Sequence, residues 1–116
     1  MKKIITLVFV MTILISCNKP SLEKAETLIK AEKYEEALKI IRPMAEKANL
    51  RAQFSLGLIY YKGKGLAKDY VKAHKWVSLS AAQNSEYDKA RNIIEEDMTK
   101  EQIVEAQKLA SEFVPK

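Results

Sequence analysis

The chain has 116 residues, among them three glycines, three prolines and one cysteine. That is enough chain for one domain, too few turn formers for a small all-β fold, and one thiol short of any internal disulfide. The formal charge is +5 and hydrophobic residues make up 47%, which excludes a disordered or low-complexity chain. Met1-Lys2-Lys3 opens the sequence with positive charge, and Ile4 to Ile15 is an apolar run of twelve residues broken by Thr6 and Thr12. A membrane-spanning helix needs about twenty apolar residues. The run is therefore expected to be the apolar core of a secretory signal peptide.

The run closes on Leu14-Ile15-Ser16-Cys17. These residues resemble the bacterial lipobox: an aliphatic residue at −3, a small residue at −1, then the cysteine. The resemblance implies that the Cys17 thiol takes a diacylglyceryl group. The small Ser16 then lets a peptidase reach the bond, and the new amino group of Cys17 is acylated. Acyl chains stabilise membrane insertion by about 0.8 kcal/mol per buried methylene, so anchoring would be permanent. Asn18 stands where an aspartate would be the usual inner-membrane retention signal. In a cell with two membranes, this favours an outer membrane facing the periplasm. Residues 1–16 are read as the signal peptide, 17–20 as the acylated cysteine and tether, and 21–116 as the folded domain.

Helical periodicity fills the rest of the chain, with breaks at regular places. Ser21 is the expected N-cap of a first helix ending near Ala31, with Leu22, Ala25, Leu28 and Ile29 inward. A second helix starts near Tyr34 and buries Ala37, Leu38, Ile41, Met44 and Ala48; Pro43 should kink it. Asn49 breaks the pattern. A third helix turns Ala52, Leu56, Ile59 and Tyr60 inward, and Lys62-Gly63-Lys64-Gly65 is a loop. Asp69 caps a fourth helix carrying Ala73, Trp76, Val77, Ser80 and Ala81, which Asn84-Ser85 stops. The fifth is expected from about Glu86 to Asp97, with Tyr87, Ala90, Ile93 and Ile94 inward. Thr99 and Gln102 read as a capping box for a last helix burying Ile103, Ala106, Ala110 and Phe113.

Six helices with short connections make about three antiparallel hairpins. Ala37, Lys39 and Ala45 recur thirty-six residues later as Ala73, Lys75 and Ala81, and such a period marks a short α-solenoid. Within residues 52–85 the pattern Ala52, Leu56-Gly57, Tyr60, Gly63-Lys64-Gly65-Leu66, Asp69, Ala73, Trp76 and Ala81-Ala82 resembles the Sel1-like repeat, a relative of the tetratricopeptide repeat. Asn84-Ser85 departs from the glycine that the family commonly has at this helix end. The resemblance spans about residues 21–113, with one full-strength unit. It implies structural roles: Gly57 for close helix approach, Tyr60 and Trp76 as filling, Ala73, Ala81 and Ala82 as small stacking residues, Gly63 and Gly65 as the turn, Leu66 as a plug, and Asp69 as the cap.

Chemistry is sparse. His74 is the only histidine and Cys17 is committed to lipid, so no metal site and no cofactor is expected. His74 is read as an exposed helical residue with no triad around it. No Gly-x-Ser-x-Gly occurs, and Gly63-Lys64-Gly65 lacks the strand and spacing of a phosphate loop. Glu95-Glu96-Asp97 is read as a solvated helix end. Residues 50–92 carry eight basic and three acidic side chains; the first reading is a solvated lysine-rich face, and the alternative is contact with anionic lipid or an acidic partner. An exported chain is not expected to bind nucleic acid.

The family resemblance implies a non-catalytic adaptor for other proteins. The expected function is thus a membrane-anchored protein-interaction module of the bacterial envelope, with an envelope or surface protein as partner. Gln53, Ile59 and Lys62 are the expected exposed residues of its binding face. Alternatives are an envelope-assembly or toxin-neutralising lipoprotein, a β-lactam-binding or -hydrolysing enzyme, and self-association that extends the surface. Cysteine-stapled secreted relatives prompt the enzyme alternative, and this chain has no cysteine after Cys17.

Overall fold

The computed structural model describes residues 21–116; the expected signal peptide, acylated Cys17 and tether lie outside the described residues. Six α-helices and no strand form the described part: α1 (Leu22–Lys30), α2 (Tyr34–Glu46), α3 (Leu50–Lys62), α4 (Tyr70–Gln83), α5 (Asp88–Glu96) and α6 (Lys100–Ser111). The fold is all-α, consistent with a helical repeat of the Sel1 or tetratricopeptide kind.

Four of the six helices start at a side-chain cap, α2 and α5 being the exceptions. The side chains of Ser21, Asn49 and Asp69 accept from the amides of Lys24, Ala52 and Lys72 at 3.2, 3.0 and 3.0 Å, satisfying donors that a helix leaves orphaned. Thr99 and Gln102 exchange side-chain-to-amide bonds of 3.1 and 2.9 Å, the reciprocal box expected for α6.

The helix ends are equally specific. At the end of α1, Lys33 donates to the Leu28 carbonyl at 2.8 Å and Glu32 to that of Ile29 at 3.0 Å. At the end of α2, Asn49 donates to Met44 at 3.0 Å and Ala48 to Ala45 at 3.0 Å. Both are Schellman closures, and they hold Glu32 (φ 61°) and Ala48 (φ 69°) in the left-handed region. The end of α3 uses Gly63 at φ 67° instead, where a glycine carries no Cβ penalty. α2 runs through Pro43 to Glu46.

The fifth element differs from expectation. Asn84 accepts from the Glu86 amide at 3.0 Å, which sets a 3₁₀ turn over Ser85–Tyr87 before α5 begins at Asp88. Tyr87 then packs its ring 4.6 Å from that of Phe54. Ile93, expected inward, is 54% exposed, and Ile94 alone is fully buried on this short helix.

Burial runs continuously from α1 to α5 through Ala25, Ala37, Leu38, Ile41, Ala45, Leu56, Val77 and Ile94. α4 lies at the centre, packing on α3, α5 and α6. After α6 the chain turns back. Phe113 meets Trp76 edge-on with ring centroids 5.6 Å apart, and the Lys116 amide donates to the Glu46 carbonyl at 2.8 Å.

Candidate functional site: the groove between α1 and α3

The residues of the repeat pattern sit where α3 meets α4. Ala52, Leu56, Gly57, Tyr60, Ala73, Trp76 and Ala81 are all buried. A Cβ on Gly57 would lie 2.6 Å from the Val77 Cγ2 and 3.0 Å from the Ala73 carbonyl oxygen, so the two backbones approach too closely for any side chain. Gly65, at φ 74°, lies against Tyr34, whose Cβ would be 2.5 Å from a Cβ there. The Asp69 amide donates to the Tyr60 carbonyl at 3.0 Å, and Leu66 packs partly buried against the core. Ala82 is exposed, so it takes no part in stacking; the residue that packs there is Ala81.

These contacts leave a cavity of about 270 Å³ between α1 and α3, lined by Ile29, Tyr34, Ser55, Leu58, Ile59, Lys62 and Lys64. Its surface is mostly hydrocarbon. At one end an ion pair between Arg51 and Glu26 bridges the two helices. At the other end stand Lys62 and Lys64, both exposed, and neither forms a salt bridge among the described residues. No carboxylate lines the cavity.

The expected binding-face residues are corrected in part. Lys62 is exposed at the rim, whereas Gln53 is 1% and Ile59 4% exposed. Gln53 faces the α2–α3 turn, where its Nε2 donates to the Ala45 carbonyl at 3.3 Å and its Oε1 accepts from Gln83 at 3.0 Å. Ile59 is the floor of the groove. Sequence reasoning missed Ile29, Tyr34, Ser55, Leu58 and Lys64. Lining that is shared between two helices distant in sequence has no periodic signature in either.

His74 is also corrected. It is 1% exposed, with Nε2 2.8 Å from Glu95 Oε1 and Nδ1 3.1 Å from Ser78 Oγ. A carboxylate only accepts, so Nε2 donates to Glu95, and Nδ1 pairs with the Ser78 hydroxyl. A polar cavity of about 330 Å³ lies beside this chain, lined also by Arg91, Asn92, Gln107 and Ala110. The order Ser–His–Glu mimics a hydrolytic triad, but Ser78 sits mid-helix in α4. Amides there donate to carbonyls four residues back, so the α4 backbone offers no free donor beside Ser78. The cluster joins α4 to α5, and among the described residues no buried side-chain polar atom is left unpaired.

Tyr61 of α3 reaches the end of α5, where its hydroxyl donates to Asp97. That bond, then burial, raises the phenol above its ordinary 10.0. The neutral phenol is the form that the fold favours. Any stabilisation is therefore fully present below the unfolded tyrosine's pKa of about 10 and is lost as pH rises through the folded value. In an NMR titration of ring-labelled tyrosine, the Tyr61 midpoint is expected above that of free tyrosine. Asp97→Asn should lower it; an unmoved midpoint would show that the bond does not form in solution.

No family model and no solved structure matches the chain. A sel1-like repeat-containing protein of Acanthamoeba polyphaga mimivirus is 38% identical over 47 residues, which is 40% of this chain and 8% of that protein. The chain thus spans less than a tenth of that relative's length. The similarity, with the six-helix architecture, supports a Sel1-like repeat in this chain.

Proposed function

We propose that the chain is a lipid-anchored protein-interaction module of the bacterial cell envelope. Acyl groups on Cys17 hold it to a membrane, the outer one facing the periplasm where the cell has two, and the helical repeat presents the α1–α3 groove to an envelope or surface protein. The observation that carries the binding reading is the groove: an apolar floor beside lysines that form no salt bridge among the described residues. Buried hydrocarbon supplies affinity in such a place and charge supplies selectivity. The anchor reading rests on the spacing of the Lys2-Lys3 charges, the apolar run and Ser16-Cys17. The module is read as non-catalytic, the role that the resemblance to Sel1-like repeats implies.

Crosslinking of intact cells that make the full chain, followed by detergent-phase purification and mass spectrometry, tests both parts. The expected product begins at Cys17, carries acyl mass and brings down a reproducible protein partner. An uncleaved or water-phase chain sinks the anchor. A detergent-phase chain with no partner sinks the module.

A further inference from the structure

We infer that the groove between α1 and α3 takes an acidic peptide segment, seating one apolar side chain against Ile59 with its carboxylates at Lys62 and Lys64. The inference rests on the interaction-module reading and names the partner's chemistry.

The size comes first. A cavity of about 270 Å³ falls just short of the roughly 300–1,000 Å³ that encloses a drug-sized ligand. It suits one inserted side chain on a chain that continues outside. Ile29 comes from α1, Tyr34 from the start of α2, and Leu58 and Ile59 from α3, so three helices contribute apolar lining. The half-buried Ser55 is the one small polar residue in that lining.

The charge pattern then gives a direction. Glu26 with Arg51, and Ile29 with Ser55 and Leu58, pair in the same order along both helices. α1 and α3 are therefore parallel, and the gap between them has two distinct ends. The Arg51–Glu26 end is neutralised internally. The other end carries Lys62 on the last turn of α3 and Lys64 in the loop beyond it. Gly63, between them, closes α3 through the left-handed region, with the Lys64 amide bonded to the Ile59 carbonyl at 3.2 Å. The loop that places the second lysine is therefore fixed by the same turn that ends the helix. A partner segment meets two lysines that form no salt bridge among the described residues, while Glu32, Glu35 and Glu36 line the neighbouring cavity beyond Tyr34 and Gly65; its carboxylates are drawn to the lysine side alone, which sets the segment's orientation.

Fluorescence anisotropy tests this with the full chain in detergent micelles. The probe is a labelled synthetic peptide in which Asp-Glu pairs flank a Leu-Phe centre. One control peptide carries Asn-Gln pairs, and another carries a Ser-Ser centre. The intact peptide should bind, more weakly as salt rises, and each control about tenfold more weakly. The double variant Lys62→Glu, Lys64→Glu should also lose about tenfold, since repulsion replaces two attractive pairs. Both lysines are exposed, so an unchanged circular dichroism spectrum is expected of that variant, and Leu58→Asp supplies an independent loss at the floor. Equal binding of the Asn-Gln peptide, or unchanged affinity of the charge-reversed variant, overturns the inference. A photocrosslinker at Ser55 in living cells separates it from the reading beneath it. A crosslink to an acidic segment of a partner supports it. A crosslink to a basic or neutral partner segment overturns the inference but keeps the module, as does a crosslink to another copy. A crosslink to lipid, or none at all, removes the groove as a protein site.

Discussion

Gly57→Ala is expected to destabilise the domain by about 1–3 kcal/mol, the usual effect of inserting a methyl into a packed interior. The direction is informative because propensity predicts the opposite. Mid-helix, alanine is favoured over glycine by about 1 kcal/mol, and α3 continues past Gly57 by five residues to Lys62. The outcome turns on what the methyl meets. A flexible side-chain tip could move aside, but the Ala73 carbonyl and the Val77 amide, at 3.0 and 3.2 Å from the new Cβ, are backbone of α4. Only a parting of the two helices relieves them, and that would open the contacts of Leu56, Tyr60 and Val77 together. Urea unfolding followed by far-ultraviolet circular dichroism measures it. A midpoint equal to or above that of the unchanged chain would show that the α3–α4 contact is looser than the structure has it.

Trp76→Ala should cost more, about 3–5 kcal/mol, in a domain whose whole stability is expected near 5–15 kcal/mol. Trp76 is the chain's one tryptophan. It lies under Phe113 from the C-terminal tail and beside Lys75, whose Nζ stands 4.5 Å from the ring centroid. Burial, with Lys72 nearby, lowers the Lys75 pKa. Truncation leaves a void in the middle of α4 and strips the tail of its aromatic contact. A double-mutant cycle with Phe113→Ala should return a coupling of about 0.5–1.5 kcal/mol. Zero coupling would mean that the tail does not sit on the indole. The variant has lost its fluorophore, so circular dichroism again has to report the transition.

Much of the architecture was legible in the sequence, for reasons that differ element by element. α1 to α4 and α6 declare themselves through apolar periodicity, and α1, α4 and α6 also through caps whose chemistry acts within three residues: Ser21, Asp69, and Thr99 with Gln102; Asn49, legible as a break, caps α3. The Gly63 turn is legible because glycine is the residue that φ 67° favours. Glu32 and Ala48 do the same backbone work, and nothing in their side chains announces it; helix closure holds them there through bonds between main-chain atoms. Ile93 and Ile94 were both read as inward, and only tertiary packing against α4 decides between neighbours on so short a helix.

The site was less legible. His74 looked like a surface residue because its partners are one turn away on its own helix and twenty-one residues on, at Glu95. The latter distance is one that no local pattern encodes. Gln53 looked exposed for the same reason, its partners being Ala45 and Gln83. Lys62 was read correctly as an exposed residue, because a lysine at a helix end has nowhere drier to go. The apolar half of the groove exists only once α1 and α3 lie side by side.

The return of the chain end to α2 has a further consequence. In a repeat array where each hairpin touches only its neighbours, the terminal unit can fray while the rest stays folded, and unfolding spreads over a range of conditions. Here the Lys116 amide holds the Glu46 carbonyl, with its ammonium 3.3 Å from the Glu46 carboxylate, and Phe113 spans the distance to Trp76. Losing the last hairpin therefore also loosens the first and the central ones. These ties between the chain end, α2 and α4 oppose fraying of the last helix alone and favour one cooperative transition over modules melting in series.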